Sequence, residues 1–298
     1  MRRIELYSTL PTNEAAITWC RDKGLLATTR RCPTCDSDMV ETTRSSSGER
    51  AWICRKTFNG IRHYIKVSIM RDSFFAESRL PIKEAIYLLY EWSVLTTVEQ
   101  ASFQLNISCK TASSWYTRFR GLAERTNNRV LSTMIGGEGD IVEIDECQIG
   151  HRKHHRGRAP NEVWVFAGVV RGSNPLRLFI ECVKKRDRET LTEIIKRRIK
   201  IKSTIISDGW GAYQHLAKEG FKHKAVNHSV EFVSALDPTV HTQNVENVWR
   251  CFRRFLNSKS AYKRNPLQGY IQEFIFRKSF TNSFETLISS IEYQHPFI

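Results

Sequence analysis

Three acids stand where divalent-metal chemistry would need them. Asp145 closes the run "DIVEID" and Asp208 closes "STIISD". Each follows β-branched residues, Ile141, Val142 and Ile144 before the first, Ile205 and Ile206 before the second. Such runs form buried strands, so both carboxylates fall at the ends of core strands. Two carboxylates brought together there repel each other and lose solvent. Hard divalent cations relieve both costs, and Mg2+ prefers oxygen ligands while retaining waters. Two ions bridged by one Asp can activate a water or hydroxyl and stabilise the leaving oxygen of a phosphodiester. A third acid comes from "HTQNVENVWRCFRRFL", whose Val245, Val248, Trp249, Phe252, Phe255 and Leu256 form an apolar helical stripe. Glu246 lies beside that stripe near the helix start. Its rivals are Glu231 and Asp237, and Asp237 before Pro238 reads as a turn residue. Glu143 shares a strand face with Asp145, and Glu146 points the other way; both stay outside the expected catalytic set. Singly, Asp145 could be a plain strand end, Asp208 a turn opener before Gly209, and Glu246 a surface partner of Arg250 at i, i+4. The set of three within a basic chain is more specific than any member.

A second ligand group lies near the start. "RCPTCDSDM" gives Cys32-x2-Cys35, and "AWICRKT" adds Cys54. A zinc ribbon would repeat the Cys-x2-Cys spacing, but position 57 is Thr. His63 can complete a Cys3His zinc site; the alternative is a small β-meander without metal. Cys20, Cys109, Cys147, Cys182 and Cys251 are scattered among apolar segments, where single thiols act as small hydrophobes. Structural disulfides are not expected.

The elements that must position these residues follow from charge and periodicity. The 298 residues carry a formal net charge of +15, which favours a polyanionic partner, nucleic acid before an anionic membrane surface. No apolar stretch approaches the ~20 residues of a membrane span, and the N-terminus lacks an apolar signal region. A soluble, intracellular protein is expected, nuclear if the host is eukaryotic. "LPIKEAIYLLYEWSV" has helical spacing, and "TTVEQASFQLN" and "SCKTASSWYTRFRGLAERTNN" follow it with Thr96 and Ser108 as expected N-caps. That order is helix-turn-helix syntax, with Lys110, Thr111, Ser113 and Ser114 opening the helix that would meet base edges. An ordinary three-helix bundle would show the same periodicity.

"STMIGGEGD", with three glycines, is the expected linker. The expected division is a zinc-ribbon-like module over 1–79, a helix-turn-helix region over 80–133 and a catalytic domain over 134–298. In the last, "DIVEIDE", "VWVFAGVVR" and "LRLFIECVK" read as an antiparallel meander. "DRETLTEIIKRRIK" reads as a helix capped by Asp187, "STIISD" as a returning strand, and "GWGAYQHLAKEG" as a further helix. This β-β-β-α-β-α order predicts a mixed α/β, ribonuclease H-like domain, its mixed sheet flanked by helices, with the first and fourth strands adjacent.

The runs "EIDECQIGHRKHHRGR", "VWVFAGVVRG", "IISDGWGAYQHL", "VNHSVEFV" and "VHTQNVENVWRCFRR" resemble the DDE transposases of the Merlin type and their bacterial insertion-sequence relatives. The resemblance covers residues 81–280 and, more loosely, the zinc-ribbon-like start. It implies that Asp145, Asp208 and Glu246 bind two Mg2+ (or Mn2+) ions. It also implies that His241 and Asn244 support the third acid, and that the enzyme cuts terminal inverted repeats and joins the freed 3′ ends to target DNA. Relatives often carry a fourth cysteine at the position of Thr57. Arg152, Lys153, Arg156 and Arg158, after Asp145, and Arg250, Arg253 and Arg254, after Glu246, are expected to grip DNA phosphates. A dimer or higher oligomer on double-stranded DNA is expected, because two ends must be handled together. A transposase-derived DNA-binding protein without catalysis and a nuclease without strand transfer remain the competing readings.

Overall fold

The computed structural model describes residues 1–43, 50–150, 162–226, 239–259 and 267–294. Its contacts divide the chain into two units, residues 1–122 with 282–298, and residues 123–281.

The first unit opens with two helices that the sequence reading left unassigned, α1 (Arg3–Thr9) and α2 (Asn13–Asp22). They bury Leu6, Ala16, Ile17 and Cys20, and Thr12 caps α2 by accepting from the Ala15 N–H. A three-stranded antiparallel sheet follows, made of β1 (Val40–Thr43), β2 (Arg50–Cys54) and β5 (Ile65–Ser68) in the order β1-β2-β5. Between β2 and β5 stands a separate hairpin, β3 (Thr57–Phe58) and β4 (Ile61–Arg62). Helices α3 (Ile82–Ser93), α4 (Val98–Gln104) and α5 (Cys109–Val130) then give the expected helix-turn-helix order. Ser108 accepts from the Thr111 N–H, as an N-cap should. The α4 cap is Thr97, in a capping box with Gln100, and not Thr96. Thr96 instead donates its hydroxyl to Glu91, a fully buried carboxylate of α3 that also takes a 2.6 Å bond from Arg3.

The second unit is the mixed α/β domain that strand order predicted. Its elements are β6 (Ile141–Ile149), β7 (Val163–Val170), β8 (Leu178–Val183), α6 (Arg188–Arg198), β9 (Thr204–Asp208), β10 (Lys222–Val226), α7 (Gln243–Asn257) and α8 (Leu267–Ser279). Helix α9 (Ser283–Gln294) closes the chain in the first unit. The sheet runs β10-β9-β6-β7-β8, antiparallel from β6 to β8 and parallel from β6 through β9 to β10. The fifth strand, β10, was not anticipated. "GWGAYQHLAKEG" forms two short 3-10 turns, Gly211–Tyr213 and Leu216–Glu219, in place of the expected helix. They still bury Tyr213 and Leu216.

Alternation along β6 sorts the core. Val142 and Ile144 face a cluster with Phe166, Phe179 and the Leu191, Ile194 and Ile195 stripe of α6. Cys147 and Ile149 face the opposite cluster, closed by Val245, Val248, Trp249 and Phe252 of α7 and Tyr270, Ile271 and Phe274 of α8. The glycine-rich segment before β6 is docked against this unit. Ile135 exchanges backbone bonds with Arg198 and Lys200, and the Gly137 N–H donates to Ser203 Oγ. Gly136 has φ +82°, and a Cβ there would meet Ser203 Oγ at 2.5 Å, so only glycine fits.

Candidate active site

The parallel pairing of β6 with β9 sets Ile141 opposite Thr204, Val142 opposite Ile205 and Glu143 opposite Ile206. Carried two residues further, the same register puts Asp145 opposite Asp208. The two lie on the same face, but only Asp208 ends its strand; Asp145 sits in the middle of β6, not at the expected strand end, because pairing with β7 carries β6 on to Ile149. The Trp210 N–H donates to Asp208 Oδ1 at 3.3 Å, which fixes that carboxylate in the turn after β9.

Helix α7 brings in the third acid and lies along β6, joined to it by a ladder of polar contacts. Asn244 and Val245 donate their backbone N–H groups to Glu143, Trp249 Nε1 donates to Asp145 Oδ2 at 3.1 Å, and Arg253 donates to Cys147 Sγ at 2.9 Å. Strand residues 143, 145 and 147 recur every ~6.6 Å on one face. Helix steps of about four residues advance ~6 Å, so the two spacings nearly match. Glu246 lies on α7 between the residues that meet Glu143 and the one that meets Asp145. Thr242 Oγ1 donates to Glu246 Oε1 at 2.8 Å.

The electrostatics bind the three acids into one group. Burial pushes the Asp145 carboxyl up to about 6, and the Asp208 and Glu246 carboxylates push the same way, against hydrogen bonds from the Glu146 backbone and Trp249. Glu146, on the opposite face, is raised to about 7 by burial, with Arg186 opposing and Asp145 and Asp208 adding. An all-carboxylate donor set whose charges already strain one another fits Mg2+ or Mn2+.

His241 and Asn244 do not touch Glu246. They surround Glu143, which is fully buried. Asn244 gives Glu143 both its backbone N–H, at 2.7 Å, and its side-chain amide, at 2.6 Å. Arg171 Nε donates at 2.8 Å, and His241 Nδ1 lies 3.7 Å away. Glu143 thus supplies from β6 the carboxylate that caps α7, a task usually given to a residue just before the helix. The Thr242 side chain makes no cap bond. Sequence reasoning set Glu143 aside and overlooked Arg171 and Trp249. The signal available was Glu143's place two residues before Asp145, on its face.

Of the expected DNA contacts, Lys110, Ser113 and Ser114 are exposed and Thr111 is half-buried at the start of α5. Lys110, Thr111 and Ser114 border an open groove of about 490 Å3 that also takes in Arg79 and Arg118. Arg250 and Arg254 are exposed on α7, Arg250 bonding Asn247 rather than Glu246. Arg253 reaches Cys147. Arg152, Lys153, Arg156, Arg158, Glu231 and Asp237 lie outside the described residues.

In the first unit, Cys32, Cys35, Cys54 and His63 offer ligand atoms all within 4.8 Å of one another, the only such group of three or more potential metal ligands among the described residues. His63 Nε2 lies 3.4 Å from Cys32 Sγ and 3.3 Å from Cys54 Sγ, and Cys35 and Cys54 are 3.7 Å apart. Zinc–sulfur bonds of ~2.3 Å at tetrahedral angles require sulfurs about 3.8 Å apart. His63 takes the fourth place that Thr57, on β3, leaves open.

Residues 135–279 match the ISXO2-like transposase domain. That family comprises DDE transposase domains of the IS1595 type, a catalytic class of nucleases and strand transferases that use divalent metal. The transposase domain spans β6 to α8 and so holds Asp145, Asp208 and Glu246 together. No curated protein matches the chain. Among the described residues no helix is long and apolar enough to cross a membrane.

Proposed function

We propose that this chain is a cut-and-paste DNA transposase of the Merlin-like kind, with Asp145, Asp208 and Glu246 as its catalytic triad. The observation that carries this reading is the β6–β9 register, which aligns the first two acids while α7 delivers the third. Asp145 would be held by Trp249, Asp208 by its turn and Glu246 by Thr242. Two Mg2+ or Mn2+ ions bound by these carboxylates would supply the charge that activates the attacking oxygen and stabilises the leaving one. The protein's own part is to hold the acids in place and to bring the phosphodiester to them. Arg250 and Arg254, with the basic run 152–158, would bind flanking phosphates and offset the charge of the acids. The zinc-ribbon-like module (1–79), holding one Zn2+ at Cys32, Cys35, Cys54 and His63, would join the helix-turn-helix region (80–133) in gripping terminal inverted repeats. Two or more copies would assemble on the paired ends.

The test is incubation with Mn2+ and labelled duplexes taken from the genomic flanks of the coding region. Free 3′ ends together with joined products are expected. Nicking without joining would make the protein a nuclease. Binding without cleavage, unaltered by Asp208→Ala, would make it a DNA-binding protein only.

A further inference from the structure

The β3–β4 hairpin plays no part in the site described above, and its chemistry is unusual for a protein surface. It leaves the module between two of the four clustered ligands, Cys54 at one foot and His63 at the other, and the His63 N–H donates to the Lys56 carbonyl to continue its ladder. The turn is Asn59-Gly60, with φ +50° and +77°, the two left-handed residues of a tight type I′ hairpin. Phe58 pairs directly with Ile61, so the two side chains share one face at the tip. They are 45% and 73% exposed, and Tyr64 just below them is 56% exposed. Apolar side chains this exposed and this close together mark an interaction surface.

The charge around that tip names the partner. Arg55, Lys56 and Arg62 are exposed, and no acid occurs from Arg55 to Ser68. Arg55 lies over the Tyr64 ring at 5.3 Å. Elsewhere in the module arginines are matched by acids: Arg21 and Arg50 with Glu41, Arg50 with Glu14, Arg30 with Asp72 and Arg31 with Asp36. Among the described residues of the module, the hairpin is where basic side chains without an acid partner meet an apolar tip. A two-stranded ribbon fits the ~12 Å major groove of B-form DNA, where thymine methyls provide the apolar contacts.

We propose that the β3–β4 hairpin is a DNA-reading finger. Arg55, Lys56 and Arg62 bind phosphates on both sides of the major groove, and Phe58 and Ile61 pack on thymine methyl groups within it. The clustered cysteines and histidine hold the feet of the finger. This rests on the DNA substrate of the proposed function, but it assigns the contacts to residues outside both the catalytic unit and the helix-turn-helix.

Two variants of the full chain test it, each first checked for unchanged zinc content and melting temperature. Binding is measured by fluorescence anisotropy across a salt series. The probes are a random-sequence duplex, a flank duplex, and the same flank duplex with deoxyuridine in place of thymidine. The triple variant Arg55→Ala/Lys56→Ala/Arg62→Ala is expected to weaken binding to every duplex and to lower the salt slope by about 3. Phe58→Ser/Ile61→Ser is expected to keep the slope and weaken the flank duplex about tenfold. Wild type is expected to prefer thymidine to deoxyuridine, and the tip variant to lose that preference. Wild-type affinity and slope in both variants would overturn the finger while leaving the transposase reading intact. If the wild-type chain binds no duplex, both fail.

Discussion

The molecule holds two candidate ligand clusters of opposite construction. The Cys3His group draws on residues 32–63, and its atoms already lie within 4.8 Å of one another. The acid group spans residues 145–246 and is more open. The difference is electrostatic. Thiols and an imidazole share a small space without a cation here, in S···N and S···S contacts of 3.3–3.7 Å. Three carboxylates cannot, and burial sharpens their repulsion, as the raised Asp145 carboxyl shows. The soft cluster is therefore built by local chain geometry. The hard cluster needs a rigid frame that holds its members near one another against their charge, and Glu143 with the α7 ladder is that frame.

The contrast can be tested at several points. Asp145→Asn should reduce DNA cleavage in Mn2+ by about a thousandfold or more, because it removes a charge that the metal site needs. DNA binding should be equal or tighter, since a negative charge near phosphate is gone; cleavage at the wild-type rate would refute the assignment.

Glu143→Ala should cost about 3–5 kcal/mol of stability, because it leaves Arg171 and two helix N–H groups without their buried partner. Denaturant unfolding measures this. Glu143→Gln, which keeps an acceptor, should recover much of the stability. If Glu143→Ala matches wild type in both stability and cleavage, Glu143 is not the frame.

Zinc at the soft cluster should depend on pH in the direction that thiolate ligation requires. Metal content, read by elemental analysis after dialysis, should fall as pH falls, because protons compete for Cys32, Cys35, Cys54 and His63. A stoichiometric zinc content that survives His63→Ala would show that three thiols suffice.

The smallest effect concerns His223, beside β9. Burial lowers its pKa from the ordinary 6.5, with His215 acting in the same direction. The folded chain therefore binds fewer protons than the unfolded one below that value. Stability should be fully present above about pH 6.5 and decline as pH falls through it. His223→Gln should flatten this part of the melting-temperature profile.

Legibility followed the range of the interactions. Asp208 could be read as a strand end because it closes its own β-branched run; Asp145 also follows such a run, but its strand continues to Ile149, while the strand order that pairs the two follows from local periodicity. Ser108 and Asp187 could be read as caps for the same reason. His241 and Asn244 could be marked as important from their pattern, but not joined to the right acid. Their partner lies about a hundred residues away in sequence, and no local spacing encodes that meeting. The same holds for Arg171 and for Trp249, whose indole looks like one more apolar stripe residue until β6 comes alongside. Strand β10 is short and polar, so it lacks the apolar run that announces its neighbours; pairing with β9 makes it a strand.

Sequence alone determined the sheet's apolar strands, the ligand types and the excess of positive charge, because these depend on residue chemistry and on periods of two or 3.6. Tertiary structure decided which carboxylate stays open beside Asp145 and which caps the helix. Glu143 and Glu246 are the same residue type near the same helix start. One is enclosed and bound by donors from Arg171, Asn244 and Val245, the other exposed and bonded by the Thr242 hydroxyl. Solvent access and available donors set the work of a carboxylate, and both arise only when distant elements pack.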